Sequence, residues 1–252
     1  STTYIQCHKT EINEKDFSKH IVESNIIITQ PINDDYRNMP HLSTSFVINN
    51  AKKTTKIILF NNCYFNFYYF DLTYKTYNGR PLNNPSDYHY NNMIECCKNN
   101  VPPEKYIEHH VNNIDIKTSE ELENIAEKSL MELTNRYHTT LEKYNNPNVH
   151  VIPIHDFIKE NYKKKLLFYS MNHPTKYVIQ YVCEQIMNHL KMNNTINYKI
   201  DILNNTKCIL YKCIQKNVQF NINDYNALTN GETDLYKITN MYYDVYHKLE
   251  DI

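Results

Sequence analysis

Short, unbroken apolar runs rich in β-branched residues constrain this 252-residue chain more than any other feature. They read NIIITQPI at 25–32, KIILF at 56–60 and VHVIPI at 149–154, with LLFYS at 166–170 as a candidate fourth. None alternates polar with apolar, as a half-solvated strand would. Continuous runs of this length suit strands buried on both faces, as in a parallel sheet. Helical spacing lies between them. Leu122, Ile125, Leu130, Leu133 and Leu141 predict a helix over 119–144, opened by an acidic first turn after Ser119. Shorter helices are expected over 155–165 and 175–190, and another over 235–249. The stretch 207–215 reads as either helix or strand. Residues 63–113 are rich in Tyr, Pro and Asn and are expected to form an insertion of loops and short elements that caps the sheet. The alternation predicts one α/β domain over 1–192, with a C-terminal extension over 193–252 packed on it.

Composition excludes several function classes. Only Gly79 and Gly231 are present, so no GxGxxG turn or P-loop exists to cradle phosphates. Net charge is −1, which gives no basic surface for nucleic acid. Seven cysteines include one adjacent pair, Cys96-Cys97, and no CxxC spacing, a pattern of reduced thiols that predicts a cytoplasmic, intracellular protein. No apolar run approaches the roughly 20 residues of a membrane span, and no signal peptide is visible. The abundance of Lys, Asn, Ile and Tyr follows AT-rich codons, so the sequons at Asn193 and Asn204 read as chance. Arginine is scarce, which draws attention to Arg37, Arg80 and Arg136.

The junction at His173 carries the chemistry. A residue before proline is pushed to extended backbone, and proline is favoured at the first helical position, so His173-Pro174 is expected at or near the cap of the 175–190 helix. In open α/β sheets that edge binds ligands. A helix N-terminus disfavours positive charge, so the imidazole would stay neutral, as a general base requires. The alternative is a solvent-exposed capping histidine. Ser43 and Thr44 read as caps of the following helix. Cys96-Cys97 and His109-His110 lack the spacing of a metal site, and none is expected. Lys163 to Lys165 read as a solvated helix end.

Several stretches, in order, resemble the WcbI-type polysaccharide biosynthesis family: IIITQPINDDYRNMPHLST (26–44), KIILFNNCYFNFYYFDLTY (56–74), YHYNNMIE (88–95), SEELENIAEKSLMELTNRY (119–137) and FIKENYKKKLLFYSMNHPT (157–175). His-Pro followed by an amphipathic helix also resembles the last block of SGNH/GDSL-type esterases and acyltransferases. The resemblance implies an SGNH-like sheet, a coenzyme A tunnel without a metal, and acetyl transfer to a sugar hydroxyl or amine of a sugar nucleotide or glycan acceptor. It implies His173 as the activating base of a Ser–His dyad with a nearby Gln. Asn172, next to His173 in sequence, is a candidate binding residue. Gln30 ends the first strand and so belongs at the same carboxyl edge, where it is a candidate to hold a substrate carbonyl or hydroxyl; Tyr36 and Arg37 follow in the same loop, with Arg37 suited to the coenzyme's phosphates. Gln30 reads equally as a loop-bonding side chain and Arg37 as a surface ion pair. His89, between Tyr88 and Tyr90, matches a family position and is expected to face the acceptor sugar, with Tyr88 and Tyr90 stacking on it; a packed loop histidine is the alternative. The chain departs from the pattern at two points. Tyr4-Ile5-Gln6-Cys7-His8 lacks the family's serine, so that either the nucleophile lies upstream in a longer polypeptide or this chain has changed or lost the chemistry, and the position three residues before His173 is Ser170, not an acid. A carbohydrate esterase on the same scaffold and a non-catalytic glycan- or partner-binding domain are the alternative functions.

Overall fold

A computed structural model describes residues 2–7, 12–192, 201 and 203–249. The sequon at Asn193 and His8 lie outside the described residues, and Asn204 occupies an exposed turn. In chain order the elements are α1 (Glu14–Glu23), β1 (Ile26–Thr29), α2 (Thr44–Asn50), β2 (Lys56–Phe60), β3 (Leu72–Thr73), β4 (Thr76–Tyr77), β5 (Arg80–Pro81), β6 (His89–Tyr90), α3 (Asn91–Lys98), α4 (Pro103–Tyr106), α5 (Ser119–Lys143), β7 (Val149–Ile152), α6 (Ile154–Asn161), α7 (Lys176–Leu190) and α8 (Leu235–Tyr246).

The first three apolar runs form one parallel sheet of order β1-β2-β7. Ile27 pairs with Ile57, and Leu59 with Val151. The two-residue period then sorts side chains by face. Ile57, Leu59 and Val151 pack with Ile27, with Ile48 and Ala51 around α2, and with Tyr137 and Tyr144 at the end of α5. On the opposite face Ile58 and Ile152 enter the main core with Ile158 of α6 and Val178 and Val182 of α7. That second layer stops short of β1. Ile26 and Ile28, on the face of Ile58, remain 44% and 46% exposed.

The helices begin where local chemistry closes their free N–H groups. Asn13 caps α1 and Ser43 caps α2, as the Ser43 reading anticipates. Thr118, one residue before the expected start, forms a capping box with Glu121 on α5. Asp234 caps α8.

The LLFYS run is not a fourth strand. Among the described residues it pairs only through an isolated bridge, Phe168 to Pro174, and the chain doubles back with Tyr169 N–H donating to the His173 carbonyl. Leu167, Phe168, Ser170 and Met171 have no exposed surface, so this apolar run marks a buried turn. Unbroken apolarity reports burial, and cannot by itself separate strand from packed loop. Residues 207–215 are also mixed: a bridge from Lys207 to Leu228, then a 3-10 turn over Lys212–Asn217. Cys208 to Tyr211, Cys213 and Ile214 join the main core with Ile238, Tyr242 and Tyr246 of α8. The insertion folds as two small antiparallel pairs, β3-β6 and β4-β5, followed by α3 and α4.

Candidate functional site

The carboxyl ends of the three strands carry two groups of polar residues. The first surrounds a cavity of about 810 Å3 along the edge strand β1. Its floor includes Ile26 and Ile28, and Phe60 at the end of β2. Gln30 and Tyr36 line it, together with Cys7 and His20. The loop behind Gln30 is fixed to α2: Ile32 N–H donates to Thr44 Oγ1, and Thr44 N–H donates to the Ile32 carbonyl. Arg37 sits in the left-handed region at φ 54°, which a residue with a Cβ seldom adopts. It is exposed and does not line the cavity; its Nη1 donates to the Cys7 carbonyl at 3.0 Å, clamping the N-terminal segment. Burial raises the Cys7 thiol above its ordinary value, so the sulfur is held protonated at neutral pH.

The second group lies in the turn before α7. His173 stands two residues ahead of the cap of α7. That cap is Thr175, Pro174 precedes it, and the Asp201 carboxylate receives the Lys176 N–H at 3.2 Å. The expected placement of Pro174 at the first helical position is therefore displaced by two residues. Asp201 does the capping work through space, which a local reading does not detect. Ser170 Oγ accepts the His173 N–H at 3.1 Å and holds the turn. The imidazole makes no hydrogen bond among the described residues, and its Nδ1 is buried without a partner. Burial lowers its basicity below the ordinary histidine value, while Asp87 opposes that shift. The ring packs edge-on against Tyr88 at 5.5 Å.

Asn172 organises the surroundings. Its Oδ1 accepts from Tyr88 Oη at 2.5 Å and from Ser170 Oγ at 3.2 Å, and its Nδ2 donates to Tyr74 Oη at 2.9 Å. Tyr64, just after β2, donates to Met171 Sδ, and Phe65 N–H donates to the Met171 carbonyl. The His173 turn is thereby tied to the loop leaving β2, whose Phe60 lines the cavity. Both groups thus hang on adjacent strand ends, although His173 does not itself line the cavity.

His89 is placed elsewhere. It has no exposed surface, with Nε2 on the Leu82 carbonyl at 2.9 Å and Nδ1 on Tyr246 Oη at 3.0 Å. Nε2 therefore carries the proton, Nδ1 accepts from the phenol, and the ring is a packed core histidine between Tyr242 and Tyr246. Tyr90 is equally buried, so neither it nor His89 faces an acceptor.

Two residues escaped the sequence reading. Cys7 was read only as lacking a serine, yet it lines the cavity. Asn61, directly after Phe60, has Oδ1 satisfied by Thr140 Oγ1 at 2.9 Å and a buried Nδ2 with no partner among the described residues. In a chain saturated with asparagine, composition hides such a residue; its position one step beyond the buried KIILF strand is the signal that marks it. The Cys96 and Cys97 thiols meet His110 and His247 at 3.3 Å and 3.6 Å, but no group of three or more metal-ligating residues occurs among the described residues.

Residues 4–195 match the family of the polysaccharide biosynthesis enzyme WcbI. The chain belongs to that family. A solved WcbI structure, described as the native protein without a disulfide bond between coenzyme A and one of its cysteines, superposes with a TM-score of 0.75 at 20% identity. The match covers 94% of this chain and 77% of that one, so the three-stranded parallel sheet and its flanking helices are the WcbI fold. No curated protein matches the chain. No helix among the described residues is long and apolar enough to cross a membrane.

Proposed function

We propose that this WcbI-family chain is a coenzyme A-dependent acetyltransferase on an SGNH-like scaffold, acting on a sugar hydroxyl or amine during polysaccharide assembly. The observation that carries the reading is the cavity of about 810 Å3 at the strand ends, with the Cys7 segment on one wall and Gln30 and Tyr36 on another. That volume lies in the range of small-molecule sites. The description of the WcbI relative names a coenzyme A–cysteine disulfide, as a bond absent from that structure, and this supports placing the coenzyme's thiol arm beside the cavity-lining Cys7. The exposed Arg37 is within the same loop for phosphate contact.

His173 is the base in this reading. Burial favours its neutral form, its ring makes no hydrogen bond among the described residues, and its turn is tied to the loop leaving β2. It takes the proton from the acceptor hydroxyl as that oxygen bonds to the acyl carbon. The carbon–sulfur bond breaks, and the proton passes on to the leaving thiolate. No serine is required, because a thioester is already activated and the hydroxyl can attack it directly.

The test is calorimetry with coenzyme A and acetyl-coenzyme A, followed by an assay of thiol release with glycan acceptors. Heat of binding and acceptor-dependent thiol release are expected. No heat and no thermal shift at millimolar coenzyme would reject the reading. Release of acetate from acetylated sugars without coenzyme would put a carbohydrate esterase in its place.

A further inference from the structure

We propose that Tyr74 is a stacking platform for a sugar ring adjacent to the one that is modified, so that the acceptor is an oligosaccharide. This rests on His173 being the base. Tyr74 follows β3 and is 52% exposed, yet its ring is not loose. Asn172 Nδ2 pins the phenol oxygen, and Tyr88 backs the ring at 5.7 Å with a 37° tilt. An exposed aromatic ring that is already ordered binds without further loss of side-chain freedom. Its apolar surface suits the C–H face of a pyranose, while its edge is wet.

The spacing sets the length of the acceptor. His173 contacts Tyr88 edge-on at 5.5 Å, and Tyr88 separates it from Tyr74. A sugar stacked on Tyr74 is therefore one ring removed from the sugar whose hydroxyl reaches His173. Asn172 links the two positions, since the same amide holds Tyr74 through Nδ2 and Tyr88 through Oδ1. Asp87 is exposed, and its charge is felt by both Tyr74 and His173. A carboxylate there accepts hydroxyls and repels phosphate, which favours a neutral glycan over a sugar nucleotide.

Saturation-transfer NMR on the full chain tests this. One probe is a pool of maltose, cellobiose, lactose and mannobiose; the other is a pool of the methyl pyranosides of glucose, galactose and mannose. The disaccharide pool should give the stronger response. Tyr74→Ala should weaken it about tenfold in Kd, and Tyr74→Phe, which keeps the face, should remain within about threefold. Circular dichroism verifies that both variants fold. No response from the disaccharide pool, an equal response from both pools, or a response unchanged in Tyr74→Ala overturns the inference. If acetyl transfer then proceeds with an unaltered acceptor KM in Tyr74→Ala, the acetyltransferase reading stands alone. A disaccharide response lost in Tyr74→Ala, without acetyl transfer in any assay, retains the glycan site and rejects the chemistry.

Discussion

Burial acts on His173 and Cys7 in the same sense, favouring the neutral form of each. For a base this is useful, because neutral imidazole is present over more of the pH scale. Activity should therefore rise with pH through an apparent pKa below the ordinary histidine value and be level by neutral pH. A pH profile of kcat/KM checks this, and a limb centred above 7 would contradict it. His173→Ala breaks no side-chain hydrogen bond among the described residues and removes a half-buried ring whose edge contact with Tyr88 is worth about 1 kcal/mol beyond its burial, while activity should fall by roughly a hundredfold or more. His173→Asn should fold as well and be as inactive, because His173 is not the helix cap. For Cys7 the consequence is the reverse: a protonated thiol reacts slowly. Incubation with oxidised coenzyme A should add the coenzyme's mass to the protein, faster as pH rises towards 9, and Cys7→Ser should abolish the adduct. An adduct that persists in Cys7→Ser would place the reactive thiol elsewhere.

At the scale of the element, the buried Asp71 shows how a helix end is closed from outside its own sequence. Its carboxylate accepts the Asn92 N–H at the start of α3 and Tyr211 Oη at 2.6 Å. Desolvation nevertheless raises its pKa from 3.8 to about 6, against the lowering effect of those hydrogen bonds. Between those values the folded chain binds more protons than the unfolded chain, so this group makes stability fall as pH rises from about 4 to about 6. Asp71→Asn should flatten the fall in unfolding free energy across that window, read from denaturant titrations, by on the order of 3 kcal/mol. An unchanged slope would show that Asp71 is ionised throughout. This cap and that of Asp201 on α7 were illegible in the sequence, because each carboxylate arrives from a distant segment. Local features were legible: the KIILF and NIIIT strands, the Ser43 cap and the 25 residues of α5 follow from period and capping chemistry. Gln30 and Tyr36 could be placed at the cavity because a parallel strand fixes where its loop emerges. His89 could not, since nothing local distinguishes a core histidine from one facing a cleft.

The whole molecule closes over its C-terminal residues. Tyr246 Oη reaches His89 in β6, Tyr242 Oη reaches Ser86, and Tyr90 Oη accepts the Ile209 N–H. Tyr69 and Tyr225 join hydroxyls at 3.1 Å. These bonds span most of the chain, and they bind the insertion to the segment that follows α7. Tyrosine suits such a role: it carries a large apolar ring inward and keeps one polar atom for a partner. If the last residues were a separable extension, deleting them would leave a folded sheet. The structure predicts otherwise. Truncation after residue 206 removes Ile238, Tyr242 and Tyr246 from the core and leaves His89 Nδ1 without its partner, a buried polar group that costs about 1–3 kcal/mol alone. The loss of three large buried side chains adds several kcal/mol more, which together rivals the whole stability of a domain. The truncated chain should show no cooperative thermal transition by near-UV circular dichroism, and the full chain should show a single one. Two resolved transitions in the full chain, or a cooperative melt in the truncated one, would show that the sheet with its cavity folds without the tyrosine-bonded cover over its insertion.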